Sequence, residues 1–421
     1  MKFLINTLGC KVNTYESNVI RDIFLNEGYE ESNSNVDIAV INTCTVTNTS
    51  DSKSLKVIKH TIKNNPNAIV IVCGCFSQIN HDRLKDMEGV SIVLGNYNKS
   101  KIMDYISQYK KDKKQIIDVR ELNDEKFECM KLNNFNKTRA FVKIEDGCEN
   151  FCSYCIIPYS RGKVRSKLME EVLDEVNTLV NNGHREIVLT GIHTGHYGAD
   201  IKEYDFSDLL NEICKIKGLE RLRISSIEIT ELDDKFLETL KNNKIIVDHM
   251  HIPLQSGCDK TLKEMNRKYD VAYFKDKIKK IRSIRPNISI TTDVIVGFPN
   301  ETEDDFNTTV NTIKEIKFTK LHVFPFSVRK GTVAETMENQ IDEKTKKERV
   351  HILMDISKEL ELDYMNKFVG CEVEFIPEVS KDGYIIGHTG NYLQIKSKIK
   401  SNGHETIKTT IKSIEYPYCM D

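Results

Sequence analysis

The sequence predicts an α/β chain built in three parts, and three patterns support that prediction. Residues 1–112 alternate short apolar runs with amphipathic stretches, which indicates an N-terminal doubly wound α/β domain. The alternation returns on a larger scale in residues 138–366, which indicates a central full or partial (β/α) barrel. Residues 367–421 alternate apolar and polar positions around turn signals, which indicates a small C-terminal β-barrel. The polar, charge-rich segment 113–137 between the first two parts is predicted to be a linker.

Uninterrupted apolar runs predict the strands of the N-terminal domain. Strands are expected at 3–5, 37–41, 68–72 and 91–94, with helices at 16–26, 50–64 and 78–87 between them. Strands that are apolar throughout and alternate with helices are typical of a parallel sheet that is covered on both faces. The linker is expected to contain one further strand at 116–119.

The central part repeats a strand and a helix. Strands are expected at 140–144, 186–189, 221–224, 249–254, 288–296 and 320–324, with helices at 168–181, 209–215, 234–242, 271–283 and 303–314. A long charged helix at 343–365 is expected to end this domain. Because barrels of this kind build their sites from the loops after the strands, we expect the functional residues in those loops.

The C-terminal part carries hairpin signals. Asp382-Gly383 and Asn402-Gly403 interrupt an alternating pattern of apolar and polar residues, and such pairs favour tight turns between antiparallel strands. Lys396, Lys398 and Lys400 occur at period two and therefore share one strand face. That face either holds a phosphate backbone or is simply a solvated surface, and the sequence leaves both interpretations open.

The bulk composition is that of an ordinary water-soluble protein, with 39% hydrophobic residues, 29% charged residues and a net charge of −2. No apolar run is long enough to span a bilayer and the first residues do not form a signal peptide, so we expect a cytoplasmic protein without a membrane partner. In a reducing cytosol the 12 cysteines are expected to be metal or cluster ligands, or core residues, rather than disulfides.

Three cysteines, here called the loop trio (Cys148, Cys152 and Cys155), occur in the spacing C-x3-C-x2-C within one loop. A loop that tight directs three thiolates at one inorganic centre, and such thiolates hold iron–sulfur clusters. Three ligands leave the fourth iron of a 4Fe–4S cube open for a substrate. The alternatives are a zinc site or three unrelated core thiols, although structural zinc usually takes four protein ligands.

A second set, the strand-end trio (Cys10, Cys44 and Cys75), follows three of the predicted N-terminal strands. Parallel strands end at the same edge of their sheet, and ligands bind at that edge. The fold would therefore bring these three distant cysteines together. Buried structural cysteines are common, so a cluster and a purely structural role remain equal alternatives at this point. Cys73 belongs to the apolar run and is predicted to be a core residue.

Loops after the predicted barrel strands supply further candidates for ligand contacts. The segment Gly191–Gly195 begins and ends with glycine. Because glycine has no side chain, the backbone there could approach a ligand closely. Glu228 follows another strand and has the acceptor oxygens that ribose hydroxyls require. Gly297 opens the loop after a third strand. None of these residues indicates a ligand site by itself. Because they follow the loop trio in the chain, they become candidates for contacts with the same ligand.

The spacing of the loop trio, with the aromatic Tyr154 before the last cysteine, resembles that of the radical S-adenosylmethionine (SAM) enzymes. The resemblance implies that Cys148, Cys152 and Cys155 hold a 4Fe–4S cluster whose open iron binds SAM, with backbone near Tyr154 against the adenine. We predict that Tyr154, Gly191, Glu228 and Gly297 contact this cofactor. No catalytic residue is predicted beyond the cluster ligands.

Further stretches resemble the methylthiotransferases, a radical SAM subfamily, over essentially the whole chain. The matching stretches are Gly9–Asn13, Asn42–Asn48, Gly74–Gln78, Cys148–Pro158 with Arg161-Gly162, Leu254–Gly257, Met265–Arg267 and Val296–Pro299. The resemblance implies a second 4Fe–4S cluster on Cys10, Cys44 and Cys75 and a C-terminal TRAM-like β-barrel. It implies two uses of SAM, one to methylate a sulfur and one to generate a radical.

Residues 43–54, His322–Ser327 and Gly387–Thr389 are similar to one branch of that subfamily. That branch adds a methylthio group to C2 of N6-threonylcarbamoyladenosine in the tRNA anticodon loop, where unstacked bases are accessible. The alternatives are isopentenyladenosine in tRNA, a ribosomal protein, or a radical SAM enzyme whose second cluster only transfers electrons. A zinc-containing RNA-binding module is the non-enzymatic alternative. The implied partners are tRNA and an electron donor such as flavodoxin or ferredoxin, and we expect a monomer.

Overall fold

The computed structural model describes residues 1–123, 125–135, 137–399, 401 and 405–421. The N-terminal strands are β1 (Lys2–Thr7), β2 (Glu30–Glu31), β3 (Ile38–Thr43), β4 (Ile69–Gly74), β5 (Ile92–Leu94) and β6 (Ile116–Asp118). The helices that connect them are α1 (Lys11–Asn26), α2 (Asn48–Asn64), α3 (Cys75–Asn80) and α4 (Ile102–Asp112).

The N-terminal strands form one parallel sheet in the order β2-β1-β3-β4-β5-β6. Separate apolar clusters cover its two faces, which confirms the doubly wound arrangement. Cys73 is fully buried in one of these clusters, as predicted. The strand β6 pairs with β5 at the sheet edge. The strand predicted at 116–119, which was assigned to the linker, therefore belongs to the N-terminal sheet.

Two N-terminal helices begin earlier than predicted. Helix α1 begins at Lys11 rather than at residue 16. Helix α3, predicted at 78–87, begins three residues earlier, at Cys75 itself, and gives way to a single 3₁₀ turn at His81–Arg83. The hydroxyl of Ser77 donates to the carbonyls of Gly74 and Leu94, at 2.9 and 2.6 Å. These bonds attach the first turn of α3 to the ends of two strands, which fixes where the helix starts.

The central part contains eight strands and eight helices among the described residues. The strands are β7 (Arg139–Lys143), β8 (Glu145–Asp146), β9 (Arg165–Ser166), β10 (Glu186–Thr190), β11 (Arg221–Ile224), β12 (His249–His251), β13 (Ser289–Val296) and β14 (Lys320–Pro325). The helices are α5 (Ile157–Arg161), α6 (Met169–Asn181), α7 (Phe206–Ile213), α8 (Asp234–Asn242), α9 (Asp259–Glu264), α10 (Val271–Ile284), α11 (Glu303–Ile316) and α12 (Glu343–Asn366).

Six central strands form a partial barrel. They make two parallel sheets, β7-β10-β11 and β12-β13-β14, joined by parallel bridges from Leu222 to Ile246 and from Ser226 to His251. Within the described ranges the outer strands β7 and β14 do not pair with each other, so the barrel stays open on one side. Helix α1 of the N-terminal domain contributes Tyr15 and Val19 to the barrel core, next to this opening.

The C-terminal part is a small strand-rich domain. Its strands are β15 (Glu372–Lys381), β16 (Tyr384–Thr389), β17 (Gln394–Ser397), β18 (Ile407–Thr410), β19 (Ser413–Glu415) and β20 (Tyr418–Met420). They form one sheet in the order β18-β15-β16-β17-β20-β19, a half-barrel whose end strands are unpaired with each other in the part of the chain that is described. Asp382-Gly383 makes the predicted turn between β15 and β16. The predicted turn at Asn402-Gly403 lies outside the described residues, as does Lys400.

Among the described residues, no helix has both the length and the apolar character needed to cross a membrane.

Candidate functional site

The loop trio lies between β7 and α5, and backbone bonds hold the loop at its centre. Ser153 donates its backbone N–H to the carbonyl of Met265 at 3.1 Å and its hydroxyl to the carbonyl of Glu264 at 2.6 Å. The carbonyl of Ser153 in turn accepts from the N–H of Ala334 at 2.7 Å. The loop is therefore fixed at Ser153, between its second and third cysteines, so that its shape does not depend on the local sequence alone.

An arginine from the loop after α9 contacts the loop trio. Nη1 of Arg267 donates to Sγ of Cys152 at 3.1 Å, and its Nη2 donates to the carboxylate of Glu228. A guanidinium that donates to sulfur stabilises the thiolate form, which is the form that binds metal. Burial raises the pKa of Glu228, and the charge of Arg267 opposes that effect. In this structure Glu228 is therefore the ion-pair partner of Arg267, beside the loop trio.

The strand-end trio is brought to one edge of the N-terminal sheet. Cys10 precedes α1, Cys44 follows β3, and Cys75 is the first residue of α3 after β4. Because β1, β3 and β4 are neighbours in the sheet, these three positions lie side by side. Gly9 has φ of +100°, and a Cβ there would lie 2.9 Å from Cβ of Cys44, so the first two segments touch. Cys75 also acts electrostatically on both Cys10 and Cys44.

Arg161 connects the two trios. It ends α5, six residues after Cys155 in the chain, and its Nε donates to Sγ of Cys75 at 3.3 Å. Its Nη2 donates to Oδ1 of Asn13 at 2.7 Å, and Asn13 lies beside Cys10, with Oδ1 to Sγ at 3.8 Å. The segment that carries the loop trio therefore also contributes a hydrogen-bond donor to the strand-end trio.

Arg161 belongs to a buried charge network at the domain junction. Its Nη1 contacts Glu16 at 2.7 Å and Asp146 at 3.1 Å. Lys143 contacts the same two acids, at 3.0 and 2.6 Å, and Lys99 contacts Glu16 at 2.6 Å. Burial opposes ionisation, but the three cations outweigh it and hold the pKa of Glu16 well below its usual value. The junction thus contains a paired ionic cluster beside the apolar contacts of α1 with the barrel core.

Each trio supplies three thiols, one fewer than the four protein ligands that a structural zinc ion usually takes. All six thiols are free. In the described ranges, the only set of three potential ligand atoms all within 4.8 Å of one another is that of His193, His196 and Glu231. Three thiolates suit an iron–sulfur cube, which thiolates hold.

Four residues were predicted to bind the cofactor, and the structure places each of them. Glu228 lies beside the loop trio, as described above. The side chain of Tyr154 packs among Met265, Phe298 and Phe326. A Cβ at Gly191 would lie 2.6 Å from Oε2 of Glu145. Gly297 has φ of +69°, and a Cβ there would lie 2.4 Å from Cγ of Lys346. Both glycines are thus required by neighbouring side chains, and the SAM contacts of all four residues remain predictions.

His193 is a residue near the loop trio to which the sequence assigned no role. Its Nδ1 lies 3.9 Å from Sγ of Cys148, and its backbone N–H donates to Glu145 at 2.7 Å. Its Nε2 contacts the carboxylate of Glu231. The roles of Arg161 and Arg267 were also missed, although both lie in stretches that carry the family resemblance. For Arg161 the available signal was a charged side chain after a stretch of apolar and small residues, whereas Arg267 lies between the polar Asn266 and Lys268 and gave no such signal.

Family comparisons cover two of the three parts. The radical SAM superfamily model matches residues 142–313. The model of uncharacterized protein family UPF0004 matches residues 2–95, which contain the strand-end trio.

Relatives are similar over most of the chain. The threonylcarbamoyladenosine tRNA methylthiotransferase MtaB of Bacillus subtilis (strain 168) is 43% identical, covering 98% of this chain and 94% of the relative. The MtaB of Aquifex aeolicus (strain VF5) is 36% identical, covering 94% and 96%. The tRNA-2-methylthio-N(6)-dimethylallyladenosine synthase of Bacillus subtilis (strain 168) is 35% identical, covering 90% and 76%.

Solved structures share the fold at low sequence identity. The radical SAM methyltransferase TsrM from Kitasatospora setae, with cobalamin and a [4Fe-4S] cluster bound, aligns with a TM-score of 0.57 at 14% identity, covering 77% of this chain and 74% of that one. The cobalamin-dependent radical enzyme OxsB aligns with a TM-score of 0.53 at 12% identity, covering 86% and 56%. These alignments support the α/β architecture described above.

Proposed function

The chain belongs to the radical SAM methylthiotransferases, and from that membership we propose that it adds a methylthio group to C2 of N6-threonylcarbamoyladenosine in the tRNA anticodon loop. The relatives named for this base cover nearly the whole chain. The Bacillus subtilis relative named for dimethylallyladenosine is less similar and aligns over less of its own length. The threonylcarbamoyl base is therefore the favoured substrate.

The position of Arg161 is the observation that supports two cooperating centres. Arg161 follows the loop trio in the chain and donates to Cys75 of the strand-end trio at 3.3 Å. A buried side chain that joins both cysteine sets fixes their relative position, which a transfer between two centres requires. Two unrelated structural sites would need no such connection.

A 4Fe–4S cluster held by the loop trio would supply the electron that cleaves SAM, and one held by the strand-end trio would present the sulfur. The protein residues around these centres then have distinct tasks. Arg267 donates hydrogen bonds to Sγ of Cys152 and to the carboxylate of Glu228 and so orients both side chains. Arg161 and Asn96 both donate to the sulfur of Cys75 and orient it, at 3.3 and 3.4 Å.

The proposal extends to partners and location. The electron donor is of the flavodoxin or ferredoxin type, the protein acts as a monomer, and it works in the cytoplasm. On the C-terminal domain, Nζ of Lys396 lies 4.4 Å from the ring centre of Tyr384, and Lys398 lies over the same ring at 5.5 Å. This exposed edge combines cations with an aromatic ring, which is the combination that RNA-binding surfaces use.

The test is methylthiolation of purified tRNA by the anaerobically reconstituted protein with SAM and a reductant. One substrate tRNA carries N6-threonylcarbamoyladenosine, and a second carries isopentenyladenosine. Mass spectrometry of the nucleosides is expected to show the methylthio product on the first tRNA only. Product on the second tRNA alone would favour the dimethylallyl alternative. SAM cleavage with no sulfur in either RNA would favour a second cluster that only transfers electrons.

A further inference from the structure

A cavity of about 350 Å³ lies between strands β12, β13 and β14 and the C-terminal domain. Its wall includes His249 and His251 of β12, Ser289 and Thr291 of β13, and Tyr392 of the C-terminal domain. The histidines occupy alternate positions of one strand, and so do Ser289 and Thr291, so each pair lines the same face of the sheet. The volume falls within the range of about 300–1,000 Å³ that small-molecule sites occupy. The cavity therefore has room for a small organic group.

The N-terminal domain contributes a cation to this cavity, Lys11. Among the described residues Lys11 forms no hydrogen bond or ion pair, and its side chain keeps an exposed surface. Arg223 and Arg139 act on it electrostatically as further positive charges. The cavity thus presents an unneutralised ammonium group in a positive field, which favours an anionic ligand.

The acids near the cavity already have partners. Glu361 contacts Lys320 at 2.9 Å, and Asp293, which acts electrostatically on Lys11, contacts His251 at 3.2 Å. Asp293 offsets part of the positive charge around Lys11, but no carboxylate of the described residues forms an ion pair with Lys11. An external anion would therefore complete this site.

Two buried polar atoms at the cavity wall also lack partners within the described part of the chain. They are Oγ of Ser289, which is fully buried, and Nδ1 of His249, whose residue is 8% exposed. The other ring nitrogen of His249 contacts the hydroxyl of Thr291 at 3.2 Å. Neither atom reaches the cavity surface as the side chains stand, so each would bond a ligand only after its side chain rotates.

Lys11 immediately follows Cys10, so the cavity adjoins the strand-end trio. During sulfur transfer, C2 of the substrate adenine must lie beside that trio, and the substituent on N6 extends from the same base. We propose that the cavity receives the threonylcarbamoyl group and that Lys11 binds its carboxylate. This inference rests on the proposed function and names the part of the substrate that the site selects.

The chemistry of the group matches the cavity. A threonylcarbamoyl group offers a carboxylate to Lys11, and its hydroxyl and urea-type N–H and C=O groups suit polar side chains of the cavity wall such as His251 and Thr291. A dimethylallyl group offers Lys11 no anion and offers the polar side chains of the wall no hydrogen-bond partner. The cavity therefore selects the polar base both by attraction and by exclusion of the apolar one.

The experiment compares two anticodon stem-loops that differ only at the carboxylate. One carries N6-threonylcarbamoyladenosine, and the other carries the same base with its carboxylate esterified. For the full-length, reconstituted protein, kcat/KM is expected to be roughly tenfold or more higher on the free carboxylate, because charge-assisted bonds contribute about that factor. The Lys11→Gln variant should lose this preference, and Lys11→Arg should retain part of it.

The readout is the ratio of the kcat/KM values for the two stem-loops. A folding or cluster-loading defect in Lys11→Gln lowers both values equally and leaves this ratio unchanged. For a variant without turnover, the dissociation constants of the same two RNAs give the ratio. Lys56→Gln, on the exposed face of α2, is the matched control and should keep the wild-type ratio. An unchanged ratio in Lys11→Gln overturns the inference. A wild-type protein that modifies neither RNA overturns the proposed function, and the inference with it.

Discussion

The two cysteine trios of this chain, each proposed to hold an iron–sulfur cluster, arise in opposite ways. Cys148, Cys152 and Cys155 lie within eight residues of one loop. Cys10, Cys44 and Cys75 come from three separate strand ends and meet only because β1, β3 and β4 are neighbours in one sheet. The first trio is set by local spacing and the second by sheet order. The second should therefore be the more sensitive to changes in packing far from its own sequence.

The largest effect is expected from loss of the loop trio. Cys148→Ala should reduce both 5′-deoxyadenosine formation and methylthiolation to background, because without this cluster no electron reaches SAM. Iron analysis of the anaerobic protein should show a loss of about four irons per chain, one cluster's worth. Retention of SAM cleavage in this variant would contradict the assignment.

Loss of the strand-end trio should separate the two activities. Cys75→Ala is expected to abolish the methylthio product while 5′-deoxyadenosine still forms, since the loop trio remains intact. Parallel assays of the cleaved SAM and of the modified nucleoside measure this difference. If both activities disappeared while iron at the loop trio remained, the two centres would not have separate tasks.

Arg161→Gln tests the connection between the regions. Breaking a buried ion pair costs about 3–5 kcal/mol, and this change leaves Glu16 and Asp146 short of one cation. Urea unfolding should show that loss, and iron should be lost first from the strand-end trio. The matched control is Arg120→Gln, which removes an exposed pair with Asp118 that is worth about 0–1 kcal/mol. Equal destabilisation by both variants would mean that the junction does not depend on Arg161.

Arg267→Gln is the counterpart on the loop trio, and its effect should be smaller. Removal of a group that bonds to a metal ligand typically lowers activity about 10-fold or somewhat more. SAM cleavage should fall by that amount, because Arg267 donates to Cys152 at 3.1 Å. Iron bound at the strand-end trio should be unaffected. A loss of strand-end iron with normal SAM cleavage would reverse the assignment of the two arginines.

The pH dependence of stability should show the smallest effect. The pKa of Glu16 is held well below its usual 4.5 by Arg161, Lys99 and Lys143, despite burial. A carboxyl with a depressed pKa contributes stability above its unfolded value, and that stability is lost as the pH falls below about 4.5. Thermal unfolding from pH 7 down to about pH 3 should therefore show a steeper loss of stability below pH 4.5 in the wild type than in Glu16→Gln. Parallel pH curves would contradict this.

The strands and helices of both α/β parts were largely predictable because their apolar runs repeat at regular spacing. Helix α8 spans the residues predicted for it, and the predicted strand at 221–224 is β11. Strand β6 was assigned to the linker because its neighbours are polar, and only pairing with β5 places it in the sheet. The contacts of Arg161 and His193 were not predictable, since each partner is distant in sequence.

The sequence by itself determined the loop trio, since spacing within one loop fixes which side chains can converge. It also determined the α/β periodicity and the resemblance to methylthiotransferases. Only the tertiary structure decided that Cys10, Cys44 and Cys75 share one sheet edge, that Arg161 joins them to the loop segment, and that Lys11 lines a cavity. The physical reason is that sheet order and domain packing depend on the whole apolar core, whereas the geometry of a short loop depends mainly on its own residues.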